Sequence, residues 1–333
     1  MANQKMFYPD TIIIGDTHTL TGIGLSNLVF GRLNNVISGT TDSIVLGISN
    51  LISGSIGVAI GSSNTMYTAT YANHFGNNNY SQSGSHSTLV GRANVSLYGG
   101  DNYAFGYANG VADLGSIAIG GTNAANGHYN MCLGHNNASG GGSGNTRLYL
   151  LGKSNTINGT DNIAIGFENT NDIATSLGVH QIGLGYQAYM RQYGEVVHAA
   201  GKFSANGDAQ TSQLVARKST TDDTVTEIAL DGGTTYLSTE DNTAYSYVVT
   251  VTAKKVGALD HAMYRFEWST VRGAGVGTVT VDGLVKTVIF ETDSTWDVNV
   301  TADLTNGRPA IKVTGVAATT IRWVAKIEIT EVA

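Results

Sequence analysis

Eight times between Leu28 and Ile165 a three-residue apolar run, such as Ile44-Val-Leu46, Tyr103-Ala-Phe105 or Ile163-Ala-Ile165, leads directly into a glycine. In a strand, the outer two residues of such a run face one way and the middle one the other. Both faces are apolar, so both are expected to be buried. A second pattern follows, as in Asn35-Val-Ile37-Ser-Gly39, Asn50-Leu-Ile52-Ser-Gly54 and Asn155-Thr-Ile157-Asn-Gly159, where an Ile alternates with mixed neighbours. This second strand is expected to be buried on one face and wet on the other. The two patterns predict coils of about 15 residues, each with two short strands joined by tight turns.

The same period runs through Gly-x-x-Asn, which recurs ten times and places a column at Asn34, Asn50, Asn64, Asn79, Asn94, Asn109, Asn123, Asn137, Asn155 and Asn169. A short fixed period means stacked coils, a quasi-one-dimensional solenoid. Glycine supplies backbone freedom at the turn, and stacked asparagines pass amide hydrogen bonds between coils. Asp42, Asp101 and Asp161 share one register and are expected to cap turns. His18 and Gln181 stand where asparagine is expected, and Gly178 and Gly185 break the period, so 11–26 and 171–190 are expected as end coils. Ser139 to Gly144 reads as a loop inserted into one coil. So thin a roll covers one face of its first strand within its own chain. Identical copies are the simplest cover for the other, with the small middle residues Ala59, Ala104, Ala118, Cys132 and Ala164 expected to allow their approach.

Segments such as Val58-Ala-Ile60-Gly61 and Ile117-Ala-Ile119-Gly120, at this period, resemble the head repeats of trimeric autotransporter adhesins. That resemblance covers 11–190 and implies a left-handed parallel β-roll in a homotrimer. The chain departs from the family in its asparagine three residues after glycine, and in showing neither a secretory signal nor a C-terminal membrane barrel.

After Tyr193 the composition shifts: residues 196–333 hold 16 of the 25 acidic residues and all three Trp but only 11 of the 43 Gly. Nine alternating segments read as strands: 213–218, 224–230, 245–255, 263–270, 276–281, 285–291, 296–301, 310–313 and 320–330. Turn signals at Asp231-Gly, Asp282-Gly and Asn306-Gly separate several of them, which predicts an antiparallel β-sandwich or jelly roll. The stretch from Gly207 to Arg217, continuing to Gly232, resembles the start of a C-terminal domain of bacteriophage tail fibres and other phage structural proteins. The expected fold is all-β: an N-terminal attachment arm (1–10), a β-roll stalk (11–190), a connector (191–206) and a β-sandwich knob (207–333). Together the resemblances imply a homotrimeric virion fibre on tail or capsid, joined to other virion proteins at its N-terminal end.

A net charge of −7 with 13% charged residues argues against a nucleic-acid partner, and no apolar run is long enough for a membrane helix. The single Cys132 excludes an intrachain disulfide and reads as a small buried residue. A glycan hydrolase needs two carboxylates about 5 to 9.5 Å apart. Adjacent coils offer only Asp101 with Asp113, or Asp161 with Glu168 and Asp172, and turn positions account for most of these, so no catalysis is expected. The pairs Asp222-Asp223 and Glu240-Asp241 lack calcium-loop spacing, the eight histidines share no register, and Gly273 to Gly277 reads as a hairpin, so no metal or cofactor is expected. What remains is adhesion: a knob that binds a host-surface receptor such as a glycan, with Tyr236, Asn242, Tyr245, Arg272 and Arg308 as candidate contacts. The rival readings are a purely structural decoration fibre and a polysaccharide-degrading tailspike.

Overall fold

The repeat folds as the alternation predicts, into a β-solenoid of about 11 turns, with antiparallel sheets following it in the chain. The computed structural model describes residues 4–8, 10–21, 26–37, 39–54, 56–68, 71–82, 86–140, 146–171 and 179–333. Two compact units divide the chain, 1–161 and 162–333. Gly178, Asp172 and most of the expected inserted loop after Ser139 lie outside the described residues. In the expected arm, Gln4–Tyr8 forms a strand antiparallel to Thr11–Gly15.

In the first unit each coil contributes a long strand, such as Leu28–Arg32 or Ile117–Gly121, and a short one, such as Asn35–Ile37 or Ala124–Asn126. Long strands pair in parallel with long and short with short, residue for residue. The core is one side chain deep. It consists of the middle residue of each strand: Val45 against Ile52, Ala59 with Met66, Leu89 with Ser96, Ala104 with Val111, all at most 2% exposed. A small residue in one strand is often matched by a larger one in the other, which keeps the layer spacing constant. Cys132 belongs to this row, and burial pushes its thiol up to about 11.

This arrangement inverts the expected faces. The small middle residues Ala59, Ala104, Ala118, Cys132 and Ala164 lie inside their own chain, fully buried, and are not presented to a neighbouring copy. The outer residues are the ones left uncovered: Ile12, Ile44, Ile60, Phe75, Tyr103, Phe105, Ile119, Tyr149 and Leu151 are between 36% and 48% exposed. The short strand also sits one residue from the predicted register in the second coil, where Val36, not Ile37, pairs with Ile52.

The glycine column is forced by contact. A Cβ on Gly61, where φ is +125°, would lie 1.9 Å from the carbonyl oxygen of Gly76. That carbonyl is one of the acceptors of Asn64, at 2.9 Å. Asn109 shows the full pattern: its Nδ2 donates to the carbonyls of Phe105 and Gly120 at 3.0 Å and to Asn94 Oδ1 at 3.1 Å. Its Oδ1 accepts the backbone N–H and the amide of Asn123, both at 3.1 Å. Asp42, Asp101 and Asp161 occupy a left-handed turn position with φ of 50°, 59° and 60°, shared with Tyr71, His86, Tyr129 and Arg147. Their common register therefore follows the backbone conformation, since Asp tolerates this region better than most residues, while the side chains of Asp101 and Asp161 face His86 and Arg147.

The second unit begins with three further long strands, Ile163–Phe167, Ile182–Tyr186 and Val196–Ala200, paired in parallel. Gly185 stacks on Gly166 and so continues the repeat it was expected to break. Gln181 belongs to a different polar column, just ahead of the long strand, where its N–H donates to Asn162 Oδ1 at 2.9 Å; Ala188 takes the asparagine position. Val196–Ala200, inside the expected connector, is both the last parallel strand and the antiparallel partner of Ala209–Thr220. A buried polar network fixes this transition. Glu195 accepts N–H groups of Arg191 and Gln192 and the hydroxyl of Ser212, while Arg191 pairs with Glu331, which also accepts from Gln210. Burial raises the Glu331 carboxyl against the pull of Arg191.

Beyond it, five strands form an antiparallel sheet in the order Ala209–Thr220, Ile321–Val332, Thr243–Lys255, His261–Arg272, Asp282–Glu291. A smaller sheet joins Thr226–Glu227, Arg308–Thr314 and Asp297–Asp303. Both sheets turn residues into one core, where Tyr247, Tyr264, Trp268, Trp296 and Trp323 are buried with Val298, Ile311 and Val313. The predicted strand 276–281 is absent; Val276–Thr278 is a single 3-10 turn among three glycines, too short of side chains to pair.

Two outcomes test the ladder and the one-residue-deep core beside it. Asn109→Ala orphans a buried amide and carbonyls on both sides, and a loss of about 2 to 4 kcal/mol is expected in denaturant unfolding; a loss under 1 would contradict the ladder's role. His74 occupies a buried middle position where neither ring nitrogen reaches a partner at good hydrogen-bonding geometry, and burial, outweighing a weak backbone interaction with Asn79, lowers its pKa to about 3. A histidine depressed in the folded state contributes stability in full above its unfolded value of about 6.5 and loses it as pH falls toward 3. His74→Leu is therefore expected to raise the melting temperature at pH 5 more than at pH 8; equal shifts at both pH values would refute this.

Candidate functional site

Near the candidate contacts Tyr236, Asn242, Arg272 and Arg308, three loops, 231–242, 273–277 and 303–308, are tied together. The Thr239 hydroxyl donates to the Gly307 carbonyl, Arg272 donates to the Thr239 carbonyl and pairs with Asp241 at 2.8 Å, and the Gly275 N–H donates to Asp241 at 3.2 Å. Gly307 sits at φ +65°, where a Cβ would meet Val276 at 2.7 Å. The Asn-Gly turn is what permits this approach.

Asp231 organises the first loop. Its carboxylate accepts the N–H groups of Gly233 and Thr235 at 2.8 and 3.0 Å and the Thr235 hydroxyl at 3.0 Å. Partial desolvation works against ionisation, but these donors outweigh it and hold the carboxyl down at about 2. The loop then passes Tyr236, whose ring lies 4.5 Å from the Arg308 guanidinium. Arg308 is itself 7% exposed, held by both oxygens of Glu227 and by Asp303 at 3.2 Å. So the guanidinium is a fixed platform and the half-buried Tyr236 lies on it. Thr234, Thr235, Tyr236, Leu237, Ser238, Asn306 and Arg308 line an open cleft of about 470 Å³.

The five candidates divide. Tyr236 and Arg308 meet at the cleft, the first as wall and the second mostly as its support. Arg272 braces the neighbouring loop, with an Nε that is buried without a partner. Asn242 is exposed in a left-handed turn at φ 57°. Tyr245 is not presented to solvent: it occupies an inward position of its strand, 4% exposed, and its hydroxyl accepts the Glu240 N–H at 2.7 Å. Burial raises that phenol well above its usual range. Asn306, Thr234 and Ser238 were not singled out, although the Asn306-Gly turn marked the position of the first. Aromatic and hydroxyl groups beside an immobilised guanidinium can stack on a sugar ring and bond its hydroxyls. Of the acids considered for hydrolysis, Asp161 pairs with Arg147, Asp101 lies 3.6 Å from His86, and Glu168 accepts from Gln187. Among the described residues no three His, Cys, Asp or Glu side chains gather as a metal site.

No protein-family model matches the chain, and no curated protein matches it. Among solved structures it is similar to the tailspike protein of Acinetobacter baumannii phage AM24, at 11% identity and a TM-score of 0.22, over 93% of this chain and 68% of that one. A score this low carries no argument about what the chain does.

The cleft separates two effects. Arg308→Ala leaves Glu227 without its partner and is expected to cost about 2 to 4 kcal/mol, seen as a lowered melting temperature. Tyr236→Ala, at a half-buried loop position, should change the melting temperature by less than that of Arg308→Ala; the reverse order would show that the tyrosine belongs to the core.

Proposed function

We propose that the chain is a bacteriophage virion fibre that assembles as a homotrimer and adheres, without cleaving it, to a glycan or other receptor on the host surface. The observation that carries the assembly is the uncovered apolar face of the first unit. The columns that begin at Ile12 and Ile14 run in register through ten long strands to Tyr149 and Leu151, and only Asn73 and Thr88 interrupt them. A continuous exposed face of this kind marks an interaction surface. A second ladder of the same spacing fits it along its whole length, and closed symmetry of three copies leaves none of these faces in water.

Adhesion is supported by the converging loops and the Tyr236 cleft, and by the resemblance of Gly207 to Gly232 to phage structural proteins. Three copies of a weak cleft on one body multiply residence time through effective concentration. The non-catalytic reading is supported by the acids of the repeat, which serve turns and ion pairs. Attachment to the virion through the N-terminal end completes this reading.

Two measurements test it. Light scattering of the full chain should give three times the 34.8 kDa chain mass, and Ile119→Glu, on the uncovered face, should reduce that mass, whereas a monomeric wild type would overturn the assembly. The labelled full chain should bind a restricted set of bacterial strains and leave their surface polysaccharide intact. Tyr236→Ala should lower that binding about tenfold or more. Release of oligosaccharide from the strains would establish the hydrolase instead.

A further inference from the structure

The solvent face of the five-stranded sheet carries an arrangement that the fold alone does not justify. Arg322 stands directly opposite Lys254 on one side and Ser219 on the other, in one cross-strand row. Like charges placed directly opposite in a sheet repel and destabilise it. Elsewhere on this face the cations are matched within their own strands, Lys326 with Glu328 at 2.7 Å and Arg265 with Glu267 at 2.8 Å. Arg322 and Lys254 have no ion-pair partner among the described residues, and neither has Lys218, which stands opposite Trp323 on the alternate parity of the edge strand. Arg217, one row along, donates to the Asp231 carbonyl at 2.6 Å, while the Asp231 carboxylate is taken up by its own loop. Arg217, Lys218, Ser219 and Arg322, together with Gly232 and Val324, line a groove of about 300 Å³.

We propose that this groove and the adjoining Arg322–Lys254 row bind an anionic polysaccharide, one carrying carboxylate groups, as a second contact apart from the Tyr236 cleft. Guanidinium groups recognise carboxylates through paired hydrogen bonds, and an anion between Arg322 and Lys254 removes their repulsion. Ser219 and Thr252 flank the row with hydroxyls suited to a sugar. An open sheet face accepts a chain laid across it. A chain of net charge −7 that leaves unpaired cations together in one place keeps its overall charge unfavourable to nucleic acid while offering a local site for acidic sugars. The inference rests on the adhesion reading and names the class of glycan.

Calorimetry on the full chain tests it with four probes: polygalacturonate, hyaluronate, neutral dextran and duplex DNA. A carboxylated polysaccharide is expected to bind, more weakly as salt rises, with dextran silent. Arg322→Ala and Lys254→Ala are each expected to weaken that binding about tenfold or more with an unchanged or raised melting temperature, because each also relieves the repulsion. Lys326→Ala, whose cation already has a partner, is expected to stay within twofold. Failure of both carboxylated probes to bind, an Arg322→Ala variant that binds as the wild type does, or DNA bound as tightly as the polysaccharides, overturns the proposal. Strain binding by the same variants keeps the two readings apart. Adhesion unchanged in Arg322→Ala/Lys254→Ala refutes this groove and leaves adhesion standing, whereas polysaccharide binding without adhesion to any strain does the opposite.

Discussion

The amide of the repeat asparagine is the interaction on which the solenoid depends. A coil whose interior is one side chain deep buries little apolar surface, and its turns expose backbone groups that must find partners. Asn109 closes its own turn on the carbonyl four residues back and reaches the next coil through the carbonyl of the stacked glycine and the next amide, and Asn94, Asn123 and Asn137 do the same. Glycine is required because that carbonyl occupies the space of a Cβ. The glycine and asparagine columns are thus two halves of one device, and neither serves without the other.

The antiparallel unit is held differently. Its aromatic residues form a conventional apolar core, and buried charges appear where the parallel ladder hands over to the antiparallel sheet. Glu195, Arg191 and Glu331 sit there with their hydrogen-bonding capacity taken up by Gln192, Gln210 and Ser212. Replacing a buried network of this kind whole by well-packed apolar residues is often neutral for stability, whereas removing one member strands the others and is costly.

The repeat was legible in the sequence because a fixed period survives any error about a single residue. Which face of the long strand turns inward was not. A run such as Ile117-Ala-Ile119 is apolar on both faces, and alternation with a period of two does not say which one is core; the partner strand decides, through pairings such as Ala59 with Met66. The loops of the cleft were legible from Asp231-Gly and Asn306-Gly, since those dipeptides specify turns. The roles of Tyr245 and Arg308 were not, because they depend on the parity of a strand position and on Glu227, which lies 81 residues away in the chain.

The left-handed turn position that Asp42, Tyr71, His86, Asp101, Tyr129 and Arg147 share has a wider consequence. Acid, base, imidazole and phenol all occupy the same backbone conformation there, one coil after another. The residues that determine folding, glycine, asparagine and the inward middle positions, lie elsewhere in each coil. The shaft therefore separates its instructions for folding from a strip of side chains on its margin that is free to vary, and a lineage can rewrite that strip coil by coil, as text on a fixed page, without renegotiating the architecture beneath.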